Sequence, residues 1–228
     1  LPPHETWELD VLDDVEHRNQ VEGLKDDSDL LVAQTGQIVT VDYTGWLYDP
    51  NKGEQKGLLL DTNFVADAVN LPLISAKERG AGGGHIRFNL AKGSMNSHIS
   101  QFPIGTYKKA HCHGPGAHVI ILTGEGYSLM WPEGEEPRRY DWQVGTMIVP
   151  PNLWFHQHFN TGTTPARYLA FKHETVAIRN AQGVPKAWIS RRVGGDQIDY
   201  ADETPVVRTM FAQELAKRGL APRMDKAY

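Results

Sequence analysis

From Arg87 to Phe171 the sequence is a succession of short β-rich runs, each cut off by Gly or Pro: HISQFPIG, TYKKAHCH, HVIILTG, YSLMW, TMIVP, WFHQHFN and ARYLAF. Branched and aromatic side chains fit a pleated surface, and turn residues at a spacing of roughly 8–12 bring successive strands back on one another. A chain patterned in this way closes into an all-β sandwich or barrel. Residues 87–173 are therefore read as a barrel core. Residues 1–86 are read as an N-terminal extension, a helix plus a β arm packing on the barrel or on a partner. Residues 174–228 are read as a C-terminal strand or loop followed by a helix.

Within the extension, 5–24 has Trp7, Val11 and Val15 spaced by four, as on an acidic amphipathic helix. Over 30–48, Val39, Val41 and Tyr43 alternate as on a strand. Residues 49–85 mix turn residues with short apolar runs. The glycine-rich stretch from Gly80 to Gly84 has no Lys-Ser/Thr after it, so it reads as a plain loop rather than a phosphate cradle. The last helix is predicted near 205–218: Thr204 is its N-cap, Pro205 sits at the first position, and Gly219 ends it. Val207, Phe211 and Leu215 form the face that packs on the outside of the barrel.

The chain has ten histidines, and five of them fall between His111 and His158. His111 and His113 stand two apart on a β-rich run, so an extended backbone points both imidazoles to one face and Cys112 to the other. After the turn at Gly114-Pro115-Gly116, His118 can face the pair, and His156-Gln157-His158 repeats the spacing on another run. Imidazoles so placed suit divalent Fe, Zn, Cu or Ni. One HxH pair recurs by chance; two pairs on separate strands with a fifth histidine after a turn argue for a metal site. A lone cysteine excludes an intrachain disulfide and a thiolate zinc site.

These residues resemble the cupin superfamily. Its first motif, G-x5-H-x-H-x3–4-E-x6-G, is met by Gly105, His111 and His113, with His118 at the Glu position and Gly124 and Gly126 straddling the last glycine. Its second, G-x5-P-x-G-x2-H-x3-N, is met by Gly145, Pro151, His156 and Asn160, with Leu153 in place of the inner glycine. The resemblance covers 105–160 directly. It implies a double-stranded β-helix barrel, or jelly roll, holding one divalent ion inside near its mouth. His111, His113, His118 and His156 are then the metal ligands, Fe(II) is the favoured ion, and Zn, Mn, Ni or Cu remain open. A neutral histidine where the common pattern has glutamate leaves the site more positive by about one charge, which favours anionic, chelating substrates.

The activity expected from such a site is a non-haem Fe(II) dioxygenase cleaving a small diketone, enol or phenolic substrate. A non-redox Zn, Mn or Ni lyase, isomerase or decarboxylase is the first alternative, and a metal-binding cupin without catalysis the second. Strand parity places Tyr107 and Lys109 on the face of His111, so Tyr107, Lys109 and His158 are the candidate catalytic residues. Gln101, Tyr127, Met130 and Trp154 are candidate pocket walls. His98 sits on a strand with no motif to pick it out, and His4, His17, His85 and His173 are read as incidental.

Composition narrows the partners. With 40% hydrophobic and 22% charged residues and a net charge of −5, the chain reads as an ordinary globular protein. It has no basic stripe for nucleic acid, and no apolar run approaching the roughly 20 residues that span a bilayer. A small molecule and a second copy, in a homodimer, are the expected partners. The polar start LPPHETWELD has no signal-peptide pattern, and a cytoplasmic location is expected, although the chain begins at Leu1 rather than Met and its true start stays open.

Overall fold

On three neighbouring strands of the barrel the usual alternation is inverted, with polar side chains turned inward. The computed structural model describes residues 65–224, apart from 66, 76–78, 91–94, 115 and 174–185, together with four strand segments before them. The strands are β1 (Trp7–Glu8), β2 (Val32–Ala33), β3 (Gly45–Asp49), β4 (Glu54–Thr62), β5 (Ile74–Ser75), β6 (Gly84–Leu90) and β7 (Met95–Phe102). They continue with β8 (His118–Thr123), β9 (Gly126–Trp131), β10 (Arg138–Trp142), β11 (Met147–Ile148), β12 (Phe155–Asn160) and β13 (Ala166–His173). Among the described residues one α-helix, α1 (Pro205–Ala216), follows three short 3-10 turns.

Two sheets build the barrel, and β1 and β2 form a separate two-stranded sheet. The larger runs β11-β8-β13-β7-β6-β4-β3, with β5 also on β6; the smaller runs β10-β9-β12. The segment 107–111 adds to the free edge of β12 through the pairs Tyr107↔Phe159 and His111↔His156. Register places Arg87 beside His98, Ser100 beside both His85 and Tyr168, and His98 beside Ala170. These residues share one face of the larger sheet, while Ile86, Phe88 and Ile99 share the other. The second group forms an apolar layer with Val65, Ala68, Leu71, Leu73 and Leu169. Apolar side chains of β6 are thus spent on the outer face, and its inner face, with most of that of β7, is left to polar ones.

Between the sheets, Phe102, Val119, Ile121, Met130, Trp142, Ile148 and Ala170 close one end of the interior. On the far side of the smaller sheet, Tyr107, Tyr127, Leu129 and Phe159 pack against Val207, Phe211 and Leu215 of α1. Both faces of β12 are therefore covered, and all six of its residues are buried. Gly126 is required where β9 meets β12: a Cβ there would stand 1.9 Å from the Phe159 carbonyl and 2.9 Å from the Trp142 ring. The other motif glycine beside it, Gly124, takes the left-handed conformation, φ +83°, so each straddling glycine has its own work.

The all-β architecture with one C-terminal helix is as expected, and Val207, Phe211 and Leu215 are the buried face of α1. Thr204 precedes the helix in extended conformation without a side-chain capping bond, and Gly219 follows at φ +68°. The helix expected over 5–24 lies outside the described residues except for Trp7–Glu8, and these form β1, antiparallel to β2. Of the β arm expected over 30–48, β3 pairs with β4, which runs parallel to β6, so this part of it extends the chain's own sheet. β4 is a nine-residue strand in a region read from its sequence as turn residues mixed with short apolar runs. Among the described residues no helix is long and apolar enough to cross a membrane.

Candidate metal centre

Three imidazoles meet between the sheets. His111, His113 and His156 each offer a ring nitrogen, and these nitrogens lie within 4.8 Å of one another. Their ring centroids are 4.3 Å (His111–His156), 4.8 Å (His113–His156) and 5.5 Å (His111–His113) apart. Paired backbone bonds bring the two strands together: the His111 N–H donates to the His156 carbonyl at 3.2 Å and the His156 N–H to the His111 carbonyl at 2.9 Å.

The outer nitrogen of two rings is already engaged. His111 Nδ1 lies 3.3 Å from the Lys109 carbonyl and His156 Nδ1 3.1 Å from that of Trp154. A carbonyl can only accept, so each Nδ1 carries the proton and each Nε2 presents a lone pair. Burial holds the His111 imidazole well below its ordinary range, helped by the Arg79 charge and the neighbouring histidines, and takes His156 down to about 4. Neutral imidazoles with fixed tautomers and converging lone pairs fit a divalent ion.

Of the other expected positions, His118 is the exposed first residue of β8. On that strand Val119 and Ile121 are the buried residues, so His118 has the opposite parity. The residue one position earlier, Ala117, is the one turned into the core. The four-histidine set implied by the motif is thus a group of three among the described residues.

Tyr107 and Lys109 do not share the face of His111. Tyr107 is fully buried against Tyr200 and Phe211 beneath α1, and its hydroxyl donates to Glu203 at 2.7 Å. Lys109 pairs with Asp199 at 2.9 Å and lies over the Tyr200 ring. The cause is a bulge. The Lys108 and His111 N–H groups bond to the carbonyls of His158 and His156, so a three-residue step on one strand opposes a two-residue step on the other. The extra residue inverts parity, and the lysine that points inward is Lys108, 3% exposed, with its ammonium on Ser100 Oγ.

His158 lies deeper than His156, with Nδ1 2.7 Å from Ser128 Oγ and its ring against Tyr168. None of the expected walls, Gln101, Tyr127, Met130 and Trp154, lines the pocket that opens on the three histidines. Its cavity is small, about 60 Å³, and its lining includes His85, His98, His111, His113, His156, His158 and His173, seven of the ten histidines in the chain. His85 and His98 stack at 5.0 Å, and burial keeps both well below the ordinary histidine range. Sequence reasoning missed them; the signal was the polar residue at every second position, His85 and Arg87 on β6 and Asn96, His98 and Ser100 on β7. Arg79 was missed as well. It is buried, with one guanidinium nitrogen donating to the Ala187 carbonyl at 2.8 Å and the other 2.7 Å from His111 Nε2. Cys112 is half-buried, and burial with the Asp196 and Glu133 carboxylates pushes its thiol up to about 11, which keeps it a poor nucleophile.

Leu153, at the motif's inner-glycine position, has φ +60°. The backbone there adopts the left-handed form that the motif's glycine accommodates freely, and its N–H donates to the His113 carbonyl at 3.2 Å.

No family model matches the chain, and no curated protein matches it. Among solved structures it is similar to cupin proteins. Oxalate decarboxylase of Bacillus subtilis, described with Mn(II) centres, is 16% identical with a TM-score of 0.41, covering 47% of this chain and 29% of that one. A cupin 2 conserved barrel domain protein of Rhodopseudomonas palustris is 16% identical with a TM-score of 0.36, covering 53% and 82%. A cupin-like protein of Thermotoga maritima is 12% identical with a TM-score of 0.36, covering 44% and 76%. The match spans less than a third of the oxalate decarboxylase chain.

Proposed function

We propose that this chain is a metal-dependent cupin enzyme, a non-haem Fe(II) dioxygenase that cleaves a small anionic substrate chelating through two oxygens. The observation that carries the reading is the placement of Arg79 beside three converging imidazoles in one small pocket. An ion held by His111, His113 and His156 would supply Lewis acidity toward the substrate oxygens and, as iron(II), electrons for O2.

The rest is the work of the chain's own residues. The carbonyls of Lys109 and Trp154 hold two rings in register. Arg79, fixed by the Ala187 carbonyl, Gln197 Oε1 and the Trp188 ring, presents a guanidinium to a carboxylate, enolate or phenolate oxygen. Among the described residues lining the pocket, Arg79, Arg87 and Lys172 are cationic and Asp196 is the one acid, a balance that favours an anion. A cavity of about 60 Å³ is well below the roughly 300–1,000 Å³ of a drug-sized ligand pocket, so the substrate is small.

The test is an oxygen electrode. Metal-free protein is reloaded with Fe(II), Mn, Ni, Cu or Zn and offered diketones, 2-oxo acids and dihydroxyaromatics. O2 uptake with the iron form and one of these substrates is the expected result. Anaerobic turnover by a Zn, Mn or Ni form, with no O2 uptake by any form, would replace the dioxygenase with a lyase, isomerase or decarboxylase.

A further inference from the structure

We propose that Tyr168, held between Ser100 and Lys108, is the group that takes a proton from the substrate in this pocket. The inference rests on the reading of the pocket as an enzyme site for an enolisable, chelating substrate, and it names a residue to which no sequence motif points.

Three elements converge on the phenol. Ser100 of β7 is the direct cross-strand partner of Tyr168 on β13. Lys108 reaches in from the strand added to β12, donates from its ammonium to Ser100 Oγ, and lies 5.1 Å above the Tyr168 ring and 5.6 Å from the Phe102 ring. Ser100 Oγ donates in turn to the Gly84 carbonyl at 3.2 Å, and Ser100 and Lys108 both favour the ionised phenol. Tyr168 and Lys108 are 5% and 3% exposed, so this charge acts where water does not screen it. The other side of the ring faces the pocket, against His98 at 5.9 Å and His158 at 5.4 Å.

Burial would raise the phenol, but the Lys108 and Arg79 charges and the bonds from Ser100 and Lys108 outweigh it, and Tyr168 ends below its ordinary value. Tyr127 shows the opposite balance: its hydroxyl has no hydrogen-bond partner, and burial, the largest influence, pushes it up against the Arg139 charge. The titratable and charged groups facing Tyr168 are therefore Lys108, Arg79, His98 and His158, and both histidines are held neutral by burial.

The step balances within the site. Tyr168 Oη, as the phenolate, takes the proton of a substrate C–H next to a carbonyl. The O–H bond forms as the C–H bond breaks, and the C–H electron pair moves onto the carbonyl oxygen, which Arg79 receives. Lys108 stays an ammonium throughout and is a positioning residue. The proton returns to carbon or leaves to water when the product departs.

Two readouts on the zinc-loaded protein, without O2, test this. Near-ultraviolet titration should show one tyrosine that ionises below the others. That signal should vanish in Tyr168→Phe and move up about ten-fold in Lys108→Met. With pentane-2,4-dione as probe, the rate of enolate appearance should fall about 100-fold in Tyr168→Phe at unchanged zinc content. A low-affinity phenol that survives in Tyr168→Phe, or enolate formation within two-fold of wild type in that variant, overturns the proposal. Ser100→Ala, which removes one hydrogen bond, serves if either variant fails to fold; it should raise the phenol's proton affinity several-fold, and an unmoved titration would overturn the proposal. Because neither readout uses O2, failure of the oxygen-electrode experiment leaves this result to stand or fall by itself.

Discussion

Arg79 Nη2 and His111 Nε2 lie 2.7 Å apart, so a guanidinium N–H is aimed at the lone pair that His111 would offer an ion. One lone pair serves one partner at a time. Arg79→Met removes the competing donor and a nearby positive charge, so affinity of the apo-protein for Zn(II) should rise, by about ten-fold. The same change should weaken a bound carboxylate such as oxalate by about 10- to 100-fold, the worth of one charge-assisted hydrogen bond of roughly 1.5–3 kcal/mol. Zn(II) titration and carboxylate binding to the zinc form measure the two effects. Equal losses in both would mean that Arg79 only supports the fold.

The metal set can be read from occupancy. His113→Ala and His156→Ala should each lower bound metal to well below one ion per chain, while His118→Ala should keep it, because His118 lies outside the group of three. Elemental analysis of protein purified without chelators decides. Full occupancy in His113→Ala and His156→Ala, or loss in His118→Ala, would contradict the arrangement.

The parts of the site that were legible in the sequence are those fixed by local spacing. His111 and His113 share a face because an extended backbone repeats every two residues, and His156 follows from the second motif. Spacing failed where the backbone departs from that period. The bulge before His111 exchanged Lys109 for Lys108, and Ala117 rather than His118 shares the inward parity of Val119 and Ile121. Arg79, His85 and His98 were not legible as site residues, because their role depends on which face of β6 and β7 is covered by the 65–73 segment. Once that outer layer is in place, the polar positions of those strands have only the interior to face. The barrel and its last helix were legible because alternation, turn residues and the four-residue spacing of Val207, Phe211 and Leu215 are each local signals.

A homodimer is expected in solution. β11 is the edge strand of the larger sheet, and Val144, Met147 and Val149, on and beside it, are exposed at 62%, 61% and 42%. An apolar strip along a strand that is the sheet's edge among the described residues suits a second copy of the same strip. Light scattering at micromolar concentration should give the mass of two chains, and Met147→Lys should shift it toward one. A single-chain mass for the unaltered protein would rule the dimer out.

Glu203 ties the C-terminal segment to the smaller sheet and should make stability depend on pH. Its carboxylate accepts from the Tyr107 hydroxyl at 2.7 Å and from the Gln157 amide at 2.5 Å. Burial is the largest influence and opposes these bonds and the charges of Arg208 and Lys109; the net result raises the group from its ordinary 4.5 to about 7. The folded chain therefore holds this proton more tightly than the unfolded chain. The stabilisation is fully present below pH 4.5 and is lost as pH rises to about 7, by up to about 3 kcal/mol at one pH unit per 1.36 kcal/mol. A glutamine at this position can keep both partners, accepting from Gln157 and donating to the Tyr107 oxygen, without a charge to bury. Glu203→Gln should therefore gain on wild type as pH rises from 5 to 8, with the gap in Tm widening across that range and flat beyond it. Taking the difference between the two proteins cancels the opposite trend from the buried histidines, whose lowered values withdraw stability as pH falls. Parallel Tm curves for the two proteins from pH 5 to 8 would show that Glu203 is ionised in the folded chain throughout.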